Sequence, residues 1–279
     1  MGRGEVDVLQ VFDITPEHER DYHVCLKHYW DDAASCIDRR EEWYERAKGQ
    51  GLRVKLARDD DGAVAGQIQY IPIERSFVDG QGLYFVLCIW VHGYKEGIGD
   101  RRGKGIGAAL LEAAEEDARA LGATGMAAWG LKSEEWMNVP WFERHGYKMA
   151  DAVGDKALVW KPFKEGARPP RWIKERKRPM GIQGKVVITV LNSGWCVSEN
   201  VLRNTARMVA AEHRGDVVFQ EVDTSDRRTM LEWGNSDALY IDGERVDGGE
   251  PPTHGELEEL VARKVQALRR WGIGVTKRK

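Results

Sequence analysis

The residues with the most chemical potential lie between Cys88 and Gly107. Arg102-Gly103-Lys104-Gly105-Ile106-Gly107 alternates glycines with two cations, after an apolar run, Tyr84 to Val91, and before a helix-patterned stretch, Ala108 to Leu121. Glycine leaves nearly bare backbone where a strand hands over to a helix. The first N–H groups of a helix lack internal acceptors and sit at the positive end of its dipole, so an anion such as pyrophosphate is the expected ligand. Two common glycine motifs are excluded by spacing. A Walker loop would need glycine at Ile98 and Ser or Thr at Gly105, and a dinucleotide fingerprint starting at Gly97 would need glycine at Arg102. His92 follows the apolar run directly and has a side chain suited to a base at neutral pH, or to a loop contact. Cys88, inside the run, is a nucleophile or acid at that site, or a packed core thiol. Trp90, Trp136 and Trp141 line an acceptor pocket or complete the core. Glu74 reads as an exposed turn carboxylate, with action through water as the alternative.

Composition bounds the rest. A chain of 279 residues is long enough for two domains, and 42% hydrophobic with 31% charged residues describes a globular protein. A formal net charge of −3 gives no reason to expect nucleic acid. The residues from Met1 to Asp7 carry no apolar signal core, and no run reaches membrane-spanning length, so a cytoplasmic location away from membranes is expected. Four cysteines without a C-x-x-C pair argue for reduced thiols, with neither a disulfide framework nor a metal site.

Along the first half, Val6, Val8 and Val11 suggest a strand and Thr15-Pro16 a helix start. Tyr22, Cys25, Leu26, Tyr29 and Trp30 then follow at helical spacing. A second helix is expected from Ile37 to Lys48, with Cys36 just before it, then strands at Leu52 to Leu56 and Val64 to Ile71 around the turn Asp59-Asp60-Asp61-Gly62. Gly82 to Val91 reads as a strand buried on both faces. Helix 108–121 places Ile106, Leu110, Ala114 and Leu121 on one side and Glu112, Glu115, Glu116 and Arg119 on the other. Ala123 to Trp129 and Ala157 to Trp160 read as further strands.

In this strand-loop-helix setting, Arg102, Gly105 and Gly107 resemble motif A of the GNAT family of N-acetyltransferases, (Gln/Arg)-x-x-Gly-x-(Gly/Ala). Phe142-Glu143-Arg144-His145-Gly146-Tyr147 resembles the family's motif B, a short helix then aromatic-Glu-Lys-x-Gly-Phe. The resemblance covers about residues 5–162 of an expected domain at 1–162 and implies an α/β fold with a mixed central sheet. It implies acetyl-CoA as donor and a primary amine of a small molecule as acceptor. Arg102, Gly103, Lys104, Gly105, Ile106, Gly107 and Ala108 would hold the pyrophosphate, and Ile89, Trp90 and Val91 would lend main-chain groups to pantetheine and thioester. Phe142 stands where the family's usual acid is a tyrosine.

Residues 163–184 are rich in Pro, Lys and Arg and read as a linker with no element of its own. From residue 185 to 279 the order is β-α-β-(α)-β-β-α, with a hairpin at Asp242-Gly243 and a capping box from Thr253 to Glu256. Trp195-Cys196-Val197-Ser198-Glu199 resembles the Trp-Cys-x-x-Cys site of a small thioredoxin-like domain of the YoaP-like type, with Glu199 in place of the second cysteine and Asp237 near the usual proline. Cys196 at a helix start is expected to favour its thiolate, opposed by Glu199. This leaves two alternatives to transfer chemistry: a thiol or ligand-binding function at Cys196 with acetyl-CoA only bound, or an interaction unit that recruits a partner or pairs two chains.

Overall fold

In the computed structural model, which describes residues 9–133, 136–246 and 251–276 and side chains through residue 270, the chain divides into two units. The first comprises Met1–Ala34 with Tyr44–Ile173, the second Ser35–Trp43 with Lys174–Lys279. Val6 and Val8, expected in the first strand, lie outside the described residues.

The first unit contains β1 (Gln10–Asp13), α1 (Glu19–His23) and α2 (Asp31–Ala34). Helix α3 (Ile37–Lys48) precedes β2 (Arg53–Arg58), β3 (Val64–Pro72), β4 (Val78–Asp79) and β5 (Leu83–Val91). Then come α4 (Ile106–Ala120), β6 (Gly125–Leu131), α5 (Val139–Arg144), β7 (Lys148–Val153), β8 (Lys156–Pro162) and β9 (Arg171–Trp172). Seven strands form one sheet in the order β1-β2-β3-β5-β6-β8-β7. All neighbours are antiparallel except β5 and β6, so the sheet is mixed.

Three expectations need correction. The helical spacing from Tyr22 to Trp30 does not make one helix: α1 stops at His23, and Cys25 and Leu26 take left-handed backbone at φ 56° and 59°. Local spacing loses there to a tertiary bond, Gln67 Nε2 donating to Cys25 Sγ at 3.3 Å. On α4, Leu121 is the exposed C-cap while Glu115 turns inward, where Lys161 Nζ reaches it at 2.7 Å. Within the basic stretch, β9 pairs with β4, and Trp172 stacks on Phe77 with ring centroids 6.5 Å apart.

Strand β5 organises the unit. Leu83 and Phe85 to Ile89 are buried along it, as the unbroken apolar run requires of a strand covered on both faces. It pairs with β6 only from Leu83 to Val86. Beyond that point β5 stays with β3 as far as Val91, while β6 stays with β8 as far as Leu131, so the two central strands part. The register of β3 against β5 slips at the same place and leaves Leu87 as an extra residue, a bulge that adds local twist.

Helix α4 buries Ile106, Leu110, Leu111, Ala114 and Ala118 against the sheet. It sits this close because β3 carries Gly66: a Cβ there would lie 2.6 Å from Ile106 Cγ2 and 2.9 Å from Leu110 Cδ1. Gly66→Ala is therefore expected to lower stability by about 1–3 kcal/mol through overpacking, read by chemical denaturation.

The second unit contains β10 (Val186–Asn192), α6 (Val197–Glu212), β11 (Val217–Asp223) and α7 (Arg227–Trp233). It ends with β12 (Ala238–Ile241), β13 (Glu244–Arg245) and α8 (His254–Thr276). Its sheet order is β11-β10-β12-β13, with β10 parallel to β11 and antiparallel to β12. Val186, Ile188 and Val190 pack with Leu202, Ala206 and Val209 of α6 and Leu257, Val261 and Val265 of α8. Asp242 and Gly243 both take positive φ, as the two-residue hairpin demands.

Candidate active site

The glycine loop ends at Gly105, the N-cap of α4, in left-handed backbone at φ 81°; Gly103 shares that conformation at 78°. A Cβ at Gly99, Gly103 or Gly105 would meet nothing within 4 Å, so the space above this backbone is open. No side chain caps the helix, and its first turn carries no acidic residue. The N–H groups that start α4 thus face an uncontested anion position. Arg102 pairs with Asp100 at 2.8 Å and Lys104 with Asp60 at 3.4 Å, all four side chains being exposed. Hydrogen bonds from Arg102 hold the Asp100 carboxyl down to about 2. Such exposed pairs are weak enough for the cations to be exchanged onto a phosphate.

Where β5 leaves β6, indoles take over as partners of its backbone. Trp129 Nε1 donates to the Leu87 carbonyl at 2.8 Å, and Trp136 Nε1 to the Ile89 carbonyl at 3.2 Å. The V-shaped gap is therefore lined by the main chain of Leu87 to Val91 on one side and by these two rings on the other. Side chains on β5 alternate. Val91 pairs with Gly66 and lies 3.7 Å from a Cβ built at Gly107, which puts it on the α4 face. Cys88 and Trp90, opposite Gln69 and Gln67, take the other face. On that face Tyr22 donates to Gln69 Oε1 at 2.5 Å.

His92 is fully buried, and its Nδ1 donates to the Gly99 carbonyl at 2.9 Å. Its backbone joins Ala65 and Arg101, so the residue pins both ends of the turn that leads into the glycine loop. Nε2 is buried with no partner among the described residues and lies against Tyr29 and Gly97. The ring thus acts first as an anchor, and a base role needs this cover to open. Cys88 is 7% exposed and Phe142 fully buried. Phe142 stands in place of a phenol, and the ring of Tyr147 packs 5.4 Å from it. Burial, then Glu115, pushes that phenol well above its ordinary range. Glu74 accepts from the Gly82 N–H at 2.6 Å, as a turn carboxylate does.

Cys196 lies elsewhere, in the second unit, as the partly exposed N-cap of α6. Behind it stands a polar group: Ser193 N and Oγ both donate to Asp237, at 3.0 and 3.2 Å from Oδ1. Asn200 Nδ2 donates to the Gly194 carbonyl at 3.1 Å, and Asn200 Oδ1 accepts from Asn192 Nδ2 at 2.9 Å. Burial raises the Asp237 carboxyl above the usual range despite the Ser193 bonds. All four cysteines are unbridged thiols; Cys36 and Cys88 are buried, Cys25 and Cys196 partly exposed. Asp59, Asp60 and Asp61 bring carboxylate oxygens together at the β2–β3 turn, but Arg101 already pairs with Asp59 at 3.1 Å and Asp61 at 2.7 Å.

Residues 51–149, from β2 to the first residues of β7 and including the loop and the gap, match the family described as acetyltransferase (GNAT) domain. Over those residues the first unit is similar to GNAT acetyltransferase domains. No curated protein matches the chain significantly. Solved structures similar to it include a GNAT family acetyltransferase from Brucella melitensis in complex with acetyl-CoA, 19% identical, covering 58% of this chain and 92% of that one, TM-score 0.38. The GNAT family N-acetyltransferase YhbS from Escherichia coli in complex with CoA is 15% identical, covering 61% and 91%, TM-score 0.42. The PaiA N-acetyltransferase from Thermoplasma acidophilum in complex with coenzyme A is 14% identical, covering 56% and 99%, TM-score 0.40. Among the described residues no helix is long and apolar enough to cross a membrane.

Because burial raises the Asp237 carboxyl, its native state favours the proton. Stability from this group is complete below the ordinary value of about 3.9 and is lost as pH rises through the raised value. Asp237→Asn keeps an acceptor for Ser193 without a charge. Its melting temperature is expected to exceed that of the native protein near neutral pH, with the difference vanishing below about pH 4. Thermal melts across that range check the sign.

Proposed function

We propose that the first unit transfers an acetyl group from acetyl-CoA to a primary amine of a small molecule. The observation that carries this reading is the uncapped start of α4, with open space above Gly103 and Gly105, beside a gap in the sheet edged by the β5 main chain. In it, Arg102 to Ala108 bind the donor's pyrophosphate through helix-start N–H groups, with Arg102 and Lys104 closing on it. The β5 main chain from Leu87 to Val91, including Ile89, Trp90 and Val91, orients pantetheine and thioester; Trp129 and Trp136 fix its carbonyls in direction. The neutral amine attacks the thioester carbon, the carbon–sulfur bond breaks, and the proton lost by nitrogen ends on the thiol. Phe142 offers no proton, so the side chains assigned to proton transfer are Cys88 on the strand face and, through the turn it anchors, His92. A cytoplasmic location fits such chemistry.

A second reading rests on a different observation, the partly exposed Cys196 at the start of α6 with Asp237 and Ser193 behind it. The strand order and directions of the second unit support a thioredoxin-like architecture of the YoaP-like type. There a single thiol binds or exchanges with a ligand, and the first unit binds acetyl-CoA without turnover.

The two readings part under two variants. Gly105→Glu puts a carboxylate at the anion position and is expected to weaken acetyl-CoA binding, measured by calorimetry, by about a hundredfold or more. CoA release with an amine panel should fall with it, while Cys196→Ser leaves both unchanged. Unimpaired acetyl-CoA binding in Gly105→Glu overturns the first reading; acetyl-CoA binding with no CoA release from any amine, together with a thiol reactivity that Cys196→Ser abolishes and Gly105→Glu leaves intact, selects the second.

A further inference from the structure

One cluster of side chains on the first unit lies apart from the glycine loop and the main-chain groups assigned to the donor. Lys27 Nζ lies 5.0 Å from the ring centre of Trp30, 5.0 Å from that of Trp90 and 4.9 Å from that of Tyr94. Tyr29 stands edge-on to Tyr94 at 6.3 Å and to His92 at 5.8 Å, extending the wall. Three aromatic rings around one ammonium make a cage that selects positive charge, because each ring presents its negative face. Among the described residues no carboxylate pairs with Lys27, although Asp32 accepts from the Trp30 indole at 3.3 Å. Glu96 is near enough to contribute, after burial and Tyr94, to raising the Tyr29 phenol. Acidic groups thus border the cage without neutralising what is in it.

The chain accepts strain to build this arrangement. Cys25 and Leu26 are consecutive non-glycine residues in left-handed backbone immediately before Lys27, a costly conformation for a leucine. The cage is also open, with Tyr29 and Tyr94 each 39% exposed. Trp90 shares its strand face with Cys88, two residues along β5, so the cage adjoins the stretch that borders the gap in the sheet. The Trp90 Nε1 is buried with no acceptor among the described residues, an unmet donor in the cage wall.

A cage of this kind stabilises an ammonium, which has no lone pair to attack a thioester. Its occupant is therefore not the nucleophile. We propose that the cage is the subsite for a second, non-reacting ammonium group of the acceptor, and that Lys27 is a tethered occupant which this group displaces. The acceptor class is then a diamine or an amine that also carries a substituted ammonium. This rests on the first unit being the acetyltransferase. A tethered lysine competes at high local concentration, so removing it should raise the apparent affinity for external cations.

The test uses the full chain and two probes of similar shape, choline and its neutral carbon isostere 3,3-dimethylbutan-1-ol, titrated by calorimetry. Lys27→Ala is expected to bind choline about tenfold or more tightly than the native protein, with no such gain for the isostere. Tyr94→Leu added to Lys27→Ala should abolish the gain. Lys27→Gln, which keeps the side chain's bulk but not its charge, serves if the alanine variant melts early and should move in the same direction. No gain on removing Lys27, equal binding of the isostere, or a gain that survives Tyr94→Leu overturns the cage. In turnover, 1,5-diaminopentane should show a lower KM than pentylamine, and Lys27→Ala should widen that difference; equal KM values overturn the acceptor assignment. Gly105→Glu must leave choline binding intact. Failure of acetyl-CoA binding in the native protein, with the choline results as expected, would instead count against the transferase reading.

Discussion

The structure of the first unit depends on the parting of two parallel strands. Parallel β5 and β6 share a ladder over four residues and then diverge, which strips half the hydrogen-bonding capacity from the rest of β5. Buried backbone groups do not stay unmet, and the chain supplies indole N–H groups for two of the carbonyls. The divergence needs the bulge at Leu87 to turn the strand, and it needs α4 drawn tightly onto β3 so that the helix start meets the gap. Gly66 permits that approach. A position on β3 with no side chain thereby helps decide where an anion can sit on α4.

The second unit solves a different problem. Asn192, Ser193, Asn200 and Asp237 are polar groups held near the end of its most buried strand, and each is engaged by another or by backbone. Such a network fixes the loop that presents Cys196 more tightly than apolar packing would, at the cost of holding a carboxylate away from water.

Much of this was legible in the sequence where one physical signal dominated. The unbroken apolar run became β5, the glycine alternation became the uncapped helix start, and Asp-Gly became the hairpin before β13. The signal failed where tertiary contacts overrode local pattern. The apolar spacing from Tyr22 to Trp30 suggested a helix, but Gln67 and the left-handed pair Cys25-Leu26 break it and aim Lys27 into the aromatic rings. Strand β7 went unanticipated because it is an exposed edge strand without alternation, held by its pairing with β8. Glu115 read as a solvent-facing charge because its partner Lys161 lies far away in sequence. The roles of Trp129 and Trp136 were invisible for a related reason: nothing local marks an indole whose acceptor is a backbone carbonyl on another strand.

Those two indoles have one more consequence. They are the hydrogen-bonded far wall of the gap, so any molecule that widens it must stretch or break a bond to a fluorescent ring. The emission colour of an indole follows the polarity and bonding at its N–H group. With the other nine of the chain's 11 tryptophans replaced, these two indoles would form an optical gauge of how far the central strands stand apart.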